Sequence, residues 1–234
     1  MLEYFGGEIE TKKLEDKVQI KFSEMKLTAR DLYIAGDISS AAFFMVMALL
    51  IPNSEIIIKN VGINETRSGI LDVLFDMGAN IEILDKKLVS GEEVANIKVK
   101  HTENLSATTI SGDIVPRLID EIPTLALLMT QAEGTSIIKD AGDLRNKESD
   151  RLKTVHDELT KLGAKIEEKE DGLIIYGKTP LQGDATLNTY CDHRLAMTWF
   201  IAGLIAENST NIDGFEWHKT SFPEFLDKFN SLLK

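Results

Sequence analysis

A charged segment in the second half of the chain, LRNKESDR, brings Arg145, Lys147, Glu148 and Arg151 together at the start of a predicted helix. Basic side chains at a helix N-terminus suit an anionic ligand, because the unpaired N–H groups and the helix dipole there also attract negative charge. A carboxylate held among cations suits proton transfer, because the surrounding charges set its pKa. Taken alone, such a run is also typical of a solvated charged face.

Polar turns precede three apolar helices elsewhere in the chain. The turns are AGDISS with Asp37, Ser39 and Ser40, then RLIDE with Asp120 and Glu121, and YCDHR with His193 and Arg194. If the three helices are parallel, their N-termini meet at one end of the molecule and concentrate these side chains there. Each turn also has a structural interpretation, as helix caps, first-turn acids or an exposed ion pair. The equivalent placement in all three turns favours a functional site.

The elements that position these turns form a threefold internal repeat. Each copy contains a polar turn, an apolar helix, a short strand and an amphipathic helix, and the copies begin near residues 35, 111 and 190. The first two copies end in predicted hairpins, ANIEIL with NIKVKH and AKIEEK with GLIIYG. The spacing of Leu152, Val155 and Leu159 predicts an amphipathic helix that ends at Gly163. We therefore predict an α/β or α+β fold of three like units around a pseudo-threefold axis, with buried parallel helices.

Residues 1–33 precede the first copy and have a different pattern. Leu2 and Phe5 are typical of the last turn of an apolar helix that Gly6 closes, and KVQIKF and DLYIAG read as the two strands of a hairpin. We predict that residues 1–33 are the remnant of an N-terminal domain, and that residues 34–234 form one further domain.

Two local motifs have a simple interpretation. Ser221 with Glu224 predicts a capping box that begins the last helix. The segment GLIIYGKT, from Gly172 to Thr179, matches the phosphate-loop pattern, but it is itself a predicted strand and Pro180 follows it directly. A phosphate loop needs a helix after it, so we reject an ATPase.

Composition excludes several classes of function. Lys and Arg number 26 against 38 Asp and Glu, a net charge of −12 that argues against nucleic acid. The longest apolar stretches, residues 41–51 and 195–206, are shorter than the roughly 20 residues that cross a bilayer. No secretory signal is visible, the single Cys191 allows no internal disulfide, and the 4 histidines have no metal-ligand spacing. We expect a cytoplasmic protein without membrane, nucleic-acid or metal partners.

Five motifs carry a family resemblance. In order they are GDISSAAFF, LIDEIPTLAL, LRNKESDRL, DHRLAM and TSFPEF. They closely resemble the C-terminal half of the EPSP synthases (5-enolpyruvylshikimate-3-phosphate synthases, or 3-phosphoshikimate 1-carboxyvinyltransferases), over essentially the whole chain. The resemblance implies βαβαββ units around a pseudo-threefold axis, in agreement with the repeat.

The same resemblance implies a reaction. It is the transfer of the enolpyruvyl group from phosphoenolpyruvate to the 5-hydroxyl of shikimate 3-phosphate, with release of phosphate and with no cofactor. This step belongs to the shikimate pathway to chorismate and the aromatic amino acids, and glyphosate is its candidate inhibitor. The reaction is an addition, which gives a tetrahedral intermediate, followed by an elimination. The addition needs a base at the hydroxyl and an acid at the methylene carbon, and the elimination reverses these two roles.

Catalytic roles follow from the resemblance. Asp120 would bind the shikimate hydroxyls and act as the base, with Glu121 as an alternative. Glu148 would donate the proton to the methylene carbon. Lys147 would bridge the two substrates.

Further substrate-binding residues are implied in the same way. Arg151 and Arg194 would hold phosphoenolpyruvate, with His193 beside them. Some relatives have a catalytic lysine directly before the (T/S)FP motif. This chain has Thr220 there, and Lys219 lies one place earlier, so its role stays open.

The resemblance also implies that the phosphate-binding lysine, arginine and Ser-Ser-Gln group of the N-terminal domain lie outside these 234 residues. We therefore interpret the chain as a fragment that folds but is inactive alone, and expect self-association through an exposed sheet edge or residues 1–33. Two alternatives remain: a UDP-N-acetylglucosamine enolpyruvyl transferase, and a non-catalytic anion-binding or structural domain.

Overall fold

The computed structural model describes residues 1–15 and 17–233, and among these no helix is long and apolar enough to span a membrane. The helices are α1 (Ile38–Leu50), α2 (Gly69–Asp76), α3 (Ile122–Thr130), α4 (Arg151–Lys161), α5 (His193–Ile205) and α6 (Phe225–Leu232). The strands are β1 (Ile9–Lys13), β2 (Val18–Phe22), β3 (Glu55–Gly62), β4 (Ile81–Val89), β5 (Glu92–Lys100), β6 (Thr109–Ile110), β7 (Gly134–Ile138), β8 (Lys165–Lys169), β9 (Gly172–Gly177), β10 (Ala185–Asn188) and β11 (Thr210–Asp213). Short 3₁₀ segments cover Gly112–Arg117, Ile119–Glu121, Gly142–Asn146 and Phe215–Thr220.

Three helices, α1, α3 and α5, form the centre of the molecule, and each packs on the other two. They are apolar on nearly every side, so a helix of this kind is stable only when it is enclosed. Met45, Leu125 and Trp199 illustrate this, because their side chains are fully buried. One such helix comes from each copy of the repeat, which confirms the predicted organisation.

The sheets follow the same repeat. The first unit has the antiparallel order β3-β5-β4, and the second has the order β6-β7-β9-β8 with a parallel β6–β7 pair. The third has only the parallel pair β10-β11. The predicted hairpins of the first two units are therefore confirmed as β4–β5 and β8–β9.

The amphipathic helix α4 agrees with its predicted period. Leu152, Val155 and Leu159 are buried, while Lys153 on the opposite side is exposed. Gly163 has φ +94°, the left-handed geometry that commonly ends a helix.

Residues 1–33 differ in part from the prediction. Gly6 has φ +90°, and the amide of Gly7 donates to the carbonyl of Leu2, as expected of a closed helical turn. The hairpin is formed by β1 with β2, so KVQIKF is a strand but DLYIAG is not. The physical reason is the lack of a partner: residues 31–34 are exposed, and Gly36 makes only one isolated parallel bridge, to Val61.

The capping box at Ser221 was a wrong prediction. Helix α6 begins at Phe225, with Glu224 as an N-cap that forms no side-chain hydrogen bond. Phe222 precedes Pro223, and the proline ring disfavours helical geometry at the residue before it. A helix starting directly after Ser221 would need that geometry.

The glycines of the apparent phosphate loop lie in β9, where they contact neighbouring backbone closely. A Cβ atom on Gly172 would lie 1.8 Å from the carbonyl oxygen of Ile138, and one on Gly177 would lie 2.0 Å from that of Ala132. Only glycine permits so close an approach of two backbones. The two glycines of the motif therefore allow β9 to pack closely on the neighbouring backbone, and the rejection of a phosphate loop agrees with the structure.

Candidate active site

The N-termini of α1, α3 and α5 come together at one end of the helical core. The hydroxyls of Thr124 and Thr198, early in α3 and α5, lie 2.9 Å apart. Arg194 in the first turn of α5 reaches Asp120, which precedes α3, at 3.2 Å. Helix α1 packs on the 3₁₀ segment Ile119–Glu121 that precedes α3. The three predicted polar turns thus share one site, in agreement with parallel helices.

Asp37 begins α1 as its N-cap. Its carboxylate accepts hydrogen bonds from the backbone amides of Ser39 and Ser40 at 3.2 and 2.9 Å. The sequence had favoured Ser39 and Ser40 as caps, but both lie inside the first turn of α1, where their own amides need an acceptor, and the preceding Asp37 supplies it. The hydroxyl of Ser39, left free, accepts a hydrogen bond from Arg67 at 3.1 Å.

Arg151 is the centre of the charged cluster. Its side chain is 1% exposed and its Nε donates to Asp192, itself fully buried, at 2.8 Å. Nη2 lies 2.7 Å from Glu148, and Nη1 lies 3.4 Å from Asp120. A buried guanidinium needs such partners, because an unpaired charge away from water is costly. Arg151 therefore holds three carboxylates in one place.

Asp120 is the most heavily paired carboxylate of the cluster. Lys147 and Arg151 approach its Oδ1 at 3.4 Å each, and Arg194 approaches its Oδ2 at 3.2 Å. Partial burial opposes ionisation, but the charges of Arg194 and Lys147 outweigh it, so the pKa of Asp120 is lowered. Asp120 is thus an ionised hydrogen-bond acceptor at neutral pH.

Burial and nearby positive charge also have opposite effects on the pKa of Asp192, which is fully buried. Burial opposes its ionisation, and the hydrogen bonds and charge of Arg151 prevail, so the pKa of Asp192 is lowered. Its carboxylate also accepts from the amide of Arg194 and from the hydroxyl of Ser149. Asp192 is therefore both the N-cap of α5 and the anchor of Arg151.

Glu121 differs from its neighbour. It is 3% exposed, and within the described part of the chain its Oε1 atom has no hydrogen-bond partner. Burial raises the pKa of Glu121, against the opposing effects of Ser39, Arg194 and Arg67. Asp120 and Glu121 thus have pKa shifts of opposite sign, and the ionised base candidate is Asp120.

His193 lies beside Glu148, with Nδ1 3.9 Å from Oε1. Burial and the nearby Arg194 lower the pKa of His193. At this distance the two side chains are neighbours without a hydrogen bond.

Two residues singled out in the sequence lie apart from the cluster. Arg145 pairs with Asp150 and Glu168 at 2.9 and 2.7 Å, which ties the start of α4 to β8. Lys219 is exposed, and no hydrogen bond or ion pair joins it to the cluster among residues 1–15 and 17–233. Its assignment to the substrate site stays a prediction.

Sequence reasoning missed two members of the site. Asp192 was interpreted as part of an exposed pair, although its position directly before an apolar helix could have indicated a buried N-cap. Arg67 was not singled out, because it lies in none of the motifs that the sequence analysis considered. Asp192 and Arg67 were identified only from contacts between segments that are far apart in the sequence.

The arrangement can bind an anion and move protons. Lys147, Arg151 and Arg194 converge on one acidic acceptor, and Glu148 stands on the other side of Arg151. Among the residues that the structure describes, no three His, Cys, Asp or Glu side chains are grouped to hold a metal ion.

Comparisons with known proteins identify relatives of this chain. The family model described as "EPSP synthase (3-phosphoshikimate 1-carboxyvinyltransferase)" matches residues 1–229. A 3-phosphoshikimate 1-carboxyvinyltransferase of Alkaliphilus oremlandii is 48% identical over 234 residues, which are 100% of this chain and 54% of that protein. One of Bacillus pumilus is 47% identical with the same shares. The chain spans about half the length of the curated relatives it matches.

Solved structures give the same result. An EPSP synthase from Acinetobacter baumannii superimposes with a TM-score of 0.90 at 35% identity, over 99% of this chain and 53% of that one. The enolpyruvyl transferase NikO from Streptomyces tendae has a TM-score of 0.74 at 18% identity, over 99% of this chain and 51% of that one, and shares the fold alone.

Proposed function

The chain belongs to the EPSP synthase family, and from this premise we propose that it serves the transfer of an enolpyruvyl group from phosphoenolpyruvate to the 5-hydroxyl of shikimate 3-phosphate. Phosphate is the second product. The observation that carries the proposal is the contact of Asp120 with Lys147, Arg151 and Arg194. An acceptor enclosed by cations fits a substrate that combines hydroxyls with phosphate.

Asp120 is the proposed base. In the free protein its cations keep it ionised and weakly basic. A bound phosphate would compete for Lys147 and Arg194, and the loss of those partners would raise the pKa of Asp120 toward its ordinary range. Asp120 would then take the proton of the 5-hydroxyl as the oxygen forms its bond to C2 of phosphoenolpyruvate.

Glu148 is the proposed proton donor. It is half exposed, lies 2.7 Å from Arg151 and faces His193. In the addition it would give its proton to the methylene carbon, which becomes a methyl group. In the elimination the C2–O bond to phosphate breaks, a proton returns from the methyl group to Glu148, and Asp120 gives its proton to the departing phosphate. Both carboxyl groups are then back in their starting states, and the overall reaction balances.

The cations hold the substrates in this proposal. Arg194 and Arg151 would bind phosphoenolpyruvate, with His193 beside them, and Lys147 would lie between the two substrates. The proposed reaction involves no cofactor, and the absence of any cysteine besides Cys191 supports a reducing, cytoplasmic location.

Ligand titration tests the proposal. The isolated chain is expected to bind shikimate 3-phosphate at millimolar concentration, because it carries only part of the phosphate-binding groups that the family uses. NMR signals of Asp120 and Lys147 should shift first. The absence of binding at any site would favour the non-catalytic structural domain instead. In a phosphate-release assay we expect less than about one tenth of a full-length relative's turnover, because each missing oxyanion contact costs at least that much.

Self-association is a separate proposal, based on residues 1–33. The hairpin β1–β2 exposes Val18, Ile20 and Phe22, which are 56%, 60% and 72% accessible. An apolar row on a two-stranded hairpin is a contact surface. We expect light scattering to show a concentration-dependent rise in mass, and a strict monomer at high concentration would contradict it.

A further inference from the structure

Arg67 is a cation beside the site that forms no ion pair with a carboxylate in the part of the chain that the structure describes. Lys147, Arg151 and Arg194 each lie within 3.4 Å of a carboxylate. Within residues 1–15 and 17–233, Arg67 forms no ion pair, and its side chain is exposed. An incoming anion must compete with Asp120 or Glu148 for the paired cations, whereas Arg67 is free to accept it.

The position of Arg67 is well defined. The residue lies directly before Ser68, the N-cap of α2, in a turn where its own amide and that of Ser68 donate to the carbonyl of Asn64 at 2.8 and 3.0 Å. The side chain of Asn64 also accepts from the amide of Thr66 at 3.0 Å. Arg67 is thus presented from an ordered turn, which reduces the entropy lost when it binds a ligand.

The guanidinium of Arg67 reaches the helix N-termini of the site. It donates to Ser39 at the start of α1 at 3.1 Å. Its charge and that of Arg194 both act on the buried Glu121. Helix α1 also packs on the 3₁₀ segment Ile119–Glu121, in which Asp120 contacts Arg194 at 3.2 Å. Arg67 from the first unit and Arg194 from the third thus lie around the same segment.

The internal repeat supports this placement. Arg67 stands at the start of the amphipathic helix α2, just as the Lys147 to Arg151 segment stands at the start of α4. The two helix starts are equivalent in the repeat, so the first and second units offer cations from the same place. The first unit supplies Arg67 from this place.

We propose that Arg67 is an anion-binding residue of the active site, which contacts the phosphate or carboxylate of the donor substrate. The inference rests on the proposed function, and it adds a residue to the substrate site. Ser39 acts as a positioning residue, because it holds the guanidinium until an anion arrives.

The experiment compares Arg67→Gln with Arg30→Gln in the 234-residue chain. Arg30 is an exposed arginine over the ring of Tyr4, so its loss removes the same charge elsewhere. Inorganic phosphate and phosphoenolpyruvate are titrated, and affinity is measured from NMR shifts. We expect Arg67→Gln to weaken binding about tenfold, since a charge-assisted hydrogen bond is lost, and Arg30→Gln to change it less than about twofold.

The outcomes are distinct. A loss with both probes assigns Arg67 to the phosphate, and a loss with phosphoenolpyruvate alone assigns it to the carboxylate. In the wild-type chain the Arg67 Nε–Hε signal should shift on addition of the ligand, which a purely structural arginine would not show. Unchanged affinity in Arg67→Gln while Arg194→Gln binds weakly would overturn the inference and leave the proposed function intact. No binding by the wild-type chain would overturn both.

Discussion

Replacing Asp192 with asparagine is expected to lower the free energy of unfolding by about 3 kcal/mol, because it leaves the buried guanidinium of Arg151 without its fully buried carboxylate partner. The two side chains are 0% and 1% exposed and lie 2.8 Å apart. Asparagine is as good an N-cap as aspartate, so the start of α5 is kept and the measurement isolates the ion pair. Urea denaturation at pH 7 gives the difference.

A matched exposed pair is the control for this prediction. Asp157 pairs with Lys153 at 2.8 Å in the same helix as Arg151, but both side chains are accessible to water. Asp157→Asn should therefore cost less than about 1 kcal/mol. Similar losses for the two variants would show that the Asp192 pair is no more stabilising than a surface contact.

The pH dependence of this difference has a fixed sign. The pKa of Asp192 is lowered below its ordinary value of 3.8 in the folded chain. The stabilisation is thus present above the unfolded value and is lost as the pH falls through the folded value. The gap between wild type and Asp192→Asn should stay constant from pH 7 to about 5 and narrow only below 3.8.

Replacing Asp120 with asparagine is expected to favour the binding of inorganic phosphate over that of shikimate 3-phosphate. Inorganic phosphate should bind several-fold more tightly, because Lys147 and Arg194 lose the carboxylate that competes for them. Shikimate 3-phosphate should gain less or bind more weakly, since Asp120 is the proposed acceptor for its hydroxyls. The ratio of the two dissociation constants should change by about tenfold or more, the value of a charge-assisted hydrogen bond.

A nearby acid without these contacts provides the control. Asp113 is exposed in the 3₁₀ segment Gly112–Arg117. Asp113→Asn removes the same charge and should alter either affinity by less than about twofold, because water and salt screen it. Calorimetry or NMR titration measures both ligands. If Asp120→Asn leaves phosphate affinity unchanged, the carboxylate does not compete with the anion.

Local patterns in the sequence predicted the elements well. The period of α4, its end at Gly163 and the hairpins β4–β5 and β8–β9 depend on neighbours a few residues apart. The capping box at Ser221 was wrong for an equally local reason, since the effect of Pro223 on the preceding residue was not weighed. The DLYIAG strand was wrong because a strand needs a partner, and alternation alone does not supply one.

For the charged residues, too, the sequence predicted some properties and only the tertiary structure showed others. The motifs alone were enough to nominate Asp120, Lys147, Glu148, Arg151, His193 and Arg194 and to indicate the family. Only the folded chain showed that Arg151 is buried against Asp192, that Asp120 and Glu121 have opposite pKa shifts, and that Arg67 donates to Ser39 at the start of α1. Period and motif are properties of adjacent residues, whereas burial and charge pairing depend on segments that only tertiary packing brings together.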